Sequence, residues 1–279
     1  MLYNLNPELY GFSGEKDASS ATVAYLFCKA VDPGTSNYAH LATIGSLELP
    51  GETQGLNLIA MKDAKDGGLI RDSGKGDLRI EAKGMNLTRT RASSLLNILG
   101  SVGYYRNGPA VGVGACLSGF DEQAIERAKE FEEERKQANR KMLATIKKDG
   151  LSQKKSIQWF HAHENYKGMG GKVVGSFCSY LLFQQGVNPV KYLIGMMSIP
   201  PDIPGWGKLP SSMIKVSGRA PRILTTLIER SKKPPLSRIL PDSCANIGGF
   251  GDGHSVAASG VFPLGKEELF LEEIDRLAV

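Results

Sequence analysis

Past Gly150 the sequence changes rhythm, and that change constrains the fold more than any other feature. Short apolar runs of strand length, residues 156–161, 192–197, 213–217 and 257–262, alternate with stretches of helical spacing at 172–185, 221–230, 235–246 and 266–277. Alternation of this kind lays helices against a sheet and predicts an α/β domain. Before Gly150 the pattern is helical. Residues 17–31, 38–47, 55–67 and 89–99 read as helices, the first stopped by Asp32-Pro33-Gly34. The longest helix is expected at 121–148. There Ile125, Ala128, Phe131, Ala138, Met142 and Ile146 recur at intervals near three, four and seven, and pairs such as Glu132/Lys136 fill the outer face. The Gly-rich tract 70–119 is ambiguous, and 111–116 is too rich in small residues to read as a strand. The expected organisation is therefore two-lobed: a first lobe over 1–119, a linker helix over 120–150, and a second domain over 151–279.

Composition narrows the class. A chain of 279 residues, 41% apolar and 23% charged, can bury a core in one large domain or two ordinary ones, which excludes wholesale disorder. The longest apolar stretch, near 173–183, is broken by Gly175, Ser176 and Ser179 and falls short of the ~20 residues a membrane span needs. Residues 1–7 carry no basic start and no apolar run, so no secretory signal is read and a cytoplasmic location is expected. Cys28, Cys116, Cys178 and Cys244 are scattered, without a C-x-x-C pair or a His at ligand spacing. They read as small buried hydrophobes and give no basis for a disulfide framework or a zinc site.

Charge is unevenly spread. Residues 151–238 hold 13 Lys/Arg against Glu164, Asp202 and Glu229, interleaved with Trp159, Tyr166, Tyr180, Tyr192 and Trp206, while 239–279 is net acidic. Such a block suits a polyanion, such as a nucleic-acid backbone, or else a solvated basic face without a ligand. The densest local signal is the tract 247–260, where Gly248, Gly249, Gly251 and Gly253 precede His254 and a run of small residues. Glycines in this density build either a backbone nest for an anion, with His254 as a hydrogen-bond donor, or a tight turn with His254 at its tip.

On these residues the sequence resembles the DHH-superfamily phosphoesterases. Gly251-Asp252-Gly253-His254-Ser255-Val256-Ala257-Ala258 is similar to the Gly-x-Gly-His-x-x-Ala-Ala signature of the DHH-associated domain. Gly170-Gly171-Lys172-Val173-Val174-Gly175 and Lys215-Val216-Ser217-Gly218-Arg219 are similar to the segments that open that lobe and bind phosphate. Upstream, residues 6–11, 20–27 and 39–45 resemble the archaeal RecJ-like branch just after its Asp-His-His triplet.

The resemblance implies an incomplete N-terminal DHH-like lobe, a linker helix and a C-terminal mixed-sheet DHH-associated domain. It implies phosphate-binding roles for Lys215, Ser217, Arg219, Gly251, Gly253 and His254. The family's metal ligands come from motifs that the sequence opens beyond, and Glu48 stands near one further acidic position in a broken pattern. No catalytic residue, metal ligand or cofactor is therefore expected, and His40, His161 and His163 read as ordinary helix and strand residues. The implied function is a non-catalytic, RecJ-like binder of single-stranded nucleic acid, DNA in particular, in archaeal replication, with GINS and MCM as partners by family analogy with the CMG helicase. The alternative is a Mn²⁺- or Mg²⁺-dependent 5′→3′ exonuclease whose metal motifs come from elsewhere. Self-association through the open edge of a parallel sheet in the first lobe is a further expectation.

Overall fold

A computed structural model describes residues 4–49, 51–74 and 76–279. The chain divides into two compact units, one of residues 1–100 with 109–129, the other of residues 101–108 with 130–279.

In the first unit, α1 (Ser20–Val31), α2 (Ala39–Gly45) and α3 (Leu56–Asp66) pack together. Ser19 caps α1, its hydroxyl accepting from the Thr22 amide at 3.1 Å, which places the helix start just inside the expected polar run. Asn57, at the head of α3, is 2% exposed. Its Oδ1 accepts from the Ser19 amide at 3.0 Å and from the Thr22 hydroxyl at 2.7 Å, so one side chain ties the cap of α1 to α3. Three short strands, β1 (Ile70–Asp72), β2 (Leu78–Ile80) and β3 (Leu87–Thr88), form an antiparallel sheet in the order β1-β2-β3. No parallel pairing occurs among the described residues of this unit. The parallel-sheet edge expected of this lobe is thus not among its described strands. Helices α4 (Arg89–Ser101), α5 (Gly108–Ser118) and α6 (Glu122–Asp149) follow. The tract that was too small-residue-rich for a strand is α5. The division between units passes through the 28-residue α6.

Asp63 on α3 accepts from the Tyr25 hydroxyl at 2.7 Å and the Lys29 ammonium at 2.6 Å. Burial disfavours its charge, but these hydrogen bonds outweigh burial and hold the carboxyl below its ordinary range. A depressed carboxyl contributes stability that is present above its unfolded pKa and lost as pH falls through the folded one. Asp63→Asn is expected to cost about 1 kcal/mol at neutral pH, a partly exposed pair being screened. The gap between variant and wild type should close below roughly pH 4, as urea unfolding at a series of pH values would show. A gap that persists into acid would contradict this account.

The second unit is built on a six-stranded mixed sheet. Its strands are β4 (Ser152–Gln153), β5 (Ile157–His161), β6 (Tyr192–Ile199), β9 (Met213–Arg219), β10 (Phe250–Gly253) and β11 (Ala257–Pro263), in the order β10-β11-β9-β6-β5-β4. Only β5 and β6 run parallel; the other pairs are antiparallel. A separate two-stranded ribbon, β7 (Asp202–Ile203) with β8 (Gly207–Lys208), interrupts the connection from β6 to β9. Helix α7 (Lys172–Leu181) packs on one face of the large sheet. On the other, α8 (Arg222–Glu229), α9 (Leu236–Ala245) and α10 (Glu267–Leu277) close a core around Ile194, Val216, Leu240, Phe262 and Phe270. This is the mixed α/β architecture that the strand–helix alternation predicts. No described helix is long and apolar enough to cross a membrane.

Candidate nucleic-acid interface

Strand β9 sorts its side chains by alternation. Ile214 and Val216 point into the α8–α10 core, and Lys215, Ser217 and Arg219 share the opposite face, beneath α7. Register carries that face across the sheet: Ser259 of β11 and Gly195 of β6 flank Ser217, and Ala257 and Leu193 flank Arg219.

Helix α7 approaches this face closely because its underside is nearly bare. A Cβ on Gly171 would stand 2.9 Å from the Lys215 Cγ. One on Gly175 would stand 2.9 Å from the Ser217 hydroxyl and 3.2 Å from an Arg219 nitrogen. Gly171, Gly175 and Ser179 recur every four residues, the helical period, so the close approach is written in the sequence as a stripe of small residues.

The polar groups between helix and sheet bond to one another. Arg219 Nε donates to the Ser179 hydroxyl at 2.9 Å, Nη1 to the Gly218 carbonyl at 2.8 Å, and Nη2 to the Gly175 carbonyl at 3.2 Å. Lys215 Nζ donates to the Ser259 hydroxyl at 2.9 Å. The Ser259 hydroxyl is thus the acceptor that β11 offers the lysine. Burial, with Arg219 alongside, pushes the Lys215 ammonium below the ordinary lysine range, and burial likewise lowers Arg219. Burial pushes the nearby Cys178 thiol up to about 12, so it supplies no thiolate at neutral pH. Neither cation has a carboxylate partner among the described residues.

The glycine tract behaves differently from the expected anion nest. Phe250–Gly253 is an extended edge strand paired to β11, and a nest needs successive curled residues. The turn comes later, at Ser255–Val256, where His254 and Ala257 exchange backbone hydrogen bonds of 2.8 and 3.3 Å. The glycines are there for close approach. A Cβ on Gly251 would stand 3.2 Å from Leu240 Cδ2, one on Gly260 2.6 Å from the Cys244 sulfur, and one on Gly253 would collide with Ala258. His254 is exposed, and its pairing with Ala257 puts it in the row of Arg219. Lys215, Ser217, Arg219 and His254 thus share one face of the sheet, while Gly251 and Gly253 shape its edge.

Other candidates fall elsewhere. Of the interleaved aromatics, Tyr166 and Tyr192 are fully buried and Trp159 packs on the core; Tyr180 and Trp206 are exposed. His161 and His163 stack at 4.2 Å, and the His163 amide donates to His161 Nδ1 at 2.9 Å. Glu48 accepts from Asn97 at 2.8 Å. Among the described residues no group of three or more His, Cys, Asp or Glu converges to hold an ion.

A solved structure described as the DHH domain of a member of a ribosomal-protein family matches this chain with a TM-score of 0.50 at 15% identity. The chain has a DHH-type fold. The match covers 91% of this chain and 53% of that one, so the chain spans about half the length of its DHH-domain neighbour. No family model matches the sequence, and neither does any curated protein. What the DHH-type fold contributes is the scaffold: a mixed sheet that presents β9 beneath a helix of small residues.

Proposed function

We propose that the chain is a non-catalytic, RecJ-like protein that holds single-stranded nucleic acid, DNA in particular, by its phosphates, and that it serves archaeal DNA replication beside GINS and MCM. The observation that carries the binding role is the pair Lys215 and Arg219, half-buried on one face of β9, whose side chains bond to hydroxyls and carbonyls and to no carboxylate among the described residues. Buried cations are ordinarily paired, and an unpaired couple is completed by an anion from outside. The N-terminus of α7 lies against Lys215 and adds the positive end of its dipole to the same place. Spacing favours a polyanion over a single phosphate, because residues four apart on a strand stand about 13 Å apart. The replication role and its partners rest on resemblance to the RecJ-like branch.

Fluorescence anisotropy of a labelled oligothymidylate, titrated at several salt concentrations, tests the binding role. Affinity should fall steeply with salt, and Lys215→Ala should flatten the log–log slope by about 0.7, one phosphate contact on a single strand. A slope unchanged in the variant would remove Lys215 from the interface. Mn²⁺-dependent digestion by the purified chain would overturn the non-catalytic half, and failure of GINS and MCM to co-purify with it would count against the replication role.

A further inference from the structure

The ribbon between β6 and β9 is unused by the phosphate grip. The β6–β9 pairing ends at Ile199 opposite Met213, two residues beyond Lys215. The chain then continues outward as a narrower ribbon: the Leu209 amide donates to the Pro201 carbonyl at 2.9 Å, Asp202 pairs with Lys208, and Ile203 with Gly207. Its tip is Pro204-Gly205-Trp206, turned by Gly205 at φ +77° and closed by the Trp206 amide on the Ile203 carbonyl at 3.0 Å. Residues 204–208 are all exposed, and Trp206 is 74% exposed.

We infer that this ribbon is a nucleobase-stacking arm, in which Trp206 takes one base of a single strand whose phosphates lie on Lys215 and Arg219; the inference rests on the β9 face being a single-strand grip. Three features fit this occupant. The exposed indole is flanked along the ribbon by Pro204, Gly205, Gly207 and Lys208, so the tip offers one aromatic ring and no second large apolar side chain. Protein docking needs on the order of 1,000 Å² of complementary surface, and membrane binding needs a whole apolar helix face, whereas a base needs a single ring. Pro200, Pro201, Pro204 and Pro210 fix φ at four places in and around the ribbon, so little freedom is lost when a ligand lands. The charge is right as well: the arm's one acid, Asp202, faces Lys208, and the whole stretch 151–238 carries 13 basic residues against three acids.

Stacking and phosphate contact respond differently to salt, which separates this inference from the function beneath it. Trp206→Ala is expected to weaken oligothymidylate binding about tenfold, within the range for one stacked base, and to leave the salt slope unchanged. Lys215→Ala should change the slope instead. An oligomer made wholly of abasic sites should bind the wild type no better than oligothymidylate binds Trp206→Ala. In Trp159→Phe, which leaves Trp206 as the only tryptophan, oligothymidylate should quench the fluorescence along the anisotropy curve. The anisotropy measurement on Trp206→Ala stands without that variant should it fold poorly. If Trp206→Ala binds like wild type, the stacking arm is overturned and the phosphate grip survives. If the wild type binds no strand at all, both fall together.

Discussion

Arg219→Ala is expected to weaken single-strand binding more than tenfold and to cost the second unit about 1–2 kcal/mol in stability. The two effects come from different N–H groups of one side chain. A guanidinium has five N–H donors in a fixed fork. Three are committed to the Ser179 hydroxyl and the Gly218 and Gly175 carbonyls, which lock the plane against α7. The remaining two, one on each terminal nitrogen, are the ones that the proposed grip assigns to a phosphate oxygen. Alanine removes the internal bonds, whence the stability loss, and the external fork, whence the affinity loss. Arg219→Lys separates charge from geometry: its salt slope should stay near wild type while affinity still drops, because an ammonium cannot bridge Ser179 and a phosphate in one plane. Anisotropy across a salt series, with thermal melts on the same preparations, reads both effects. Wild-type affinity and slope in Arg219→Ala would remove this residue from the interface.

The same strand shows what a sequence can and cannot reveal here. From Ile214 to Ser217 apolar and polar residues alternate, so one face is legible as apolar and the other as polar, and the structure buries Ile214 and Val216 accordingly. The partners of the polar face are not legible, because they come from far along the chain: Ser259 lies 44 residues from Lys215, and Ser179 lies 40 from Arg219. Strand order brings them in, and β11 sits beside β9 only once the chain has passed through α8, α9 and β10. Phe250-Gly-Asp-Gly253 reads as a loop since its residues are poor strand formers. It becomes a strand because β11 offers it an edge and the missing side chains let α9 lie close. Helix α5 hides for the opposite reason: Gly, Ala and Val all round give no polar–apolar period to detect. The stripe Gly171, Gly175, Ser179 was legible in principle, since small residues at helical spacing mark a helix that must approach something closely.

That closeness is the source of the largest stability effect expected in the molecule. Gly195, in the middle of β6, faces α7 directly across from Cys178. A Cβ there would stand 2.5 Å from the Cys178 sulfur and 2.7 Å from the Phe160 ring, and both of those side chains are buried. Phe160 is itself pinned edge-to-face on Phe177 of α7, with ring centres 5.4 Å apart, so it cannot swing aside without dislodging the helix. Gly195→Val adds three carbons to this space. Valine's preference for strands is worth at most about 1 kcal/mol, and overpacking a rigid core costs about 3 kcal/mol or more, so steric strain wins. The helix must lift, and with it the Gly175 carbonyl and Ser179 that orient Arg219. Gly195→Val should therefore lose both stability and single-strand affinity, measured by urea unfolding and anisotropy. Gly195→Ala should lose less of each, and adding Cys178→Ala should return part of the loss, because the two positions share one space and their effects cannot be additive. Strict additivity between Gly195→Ala and Cys178→Ala would show that β6 and α7 do not meet at this point, and the account of how the helix holds Arg219 would fail with it.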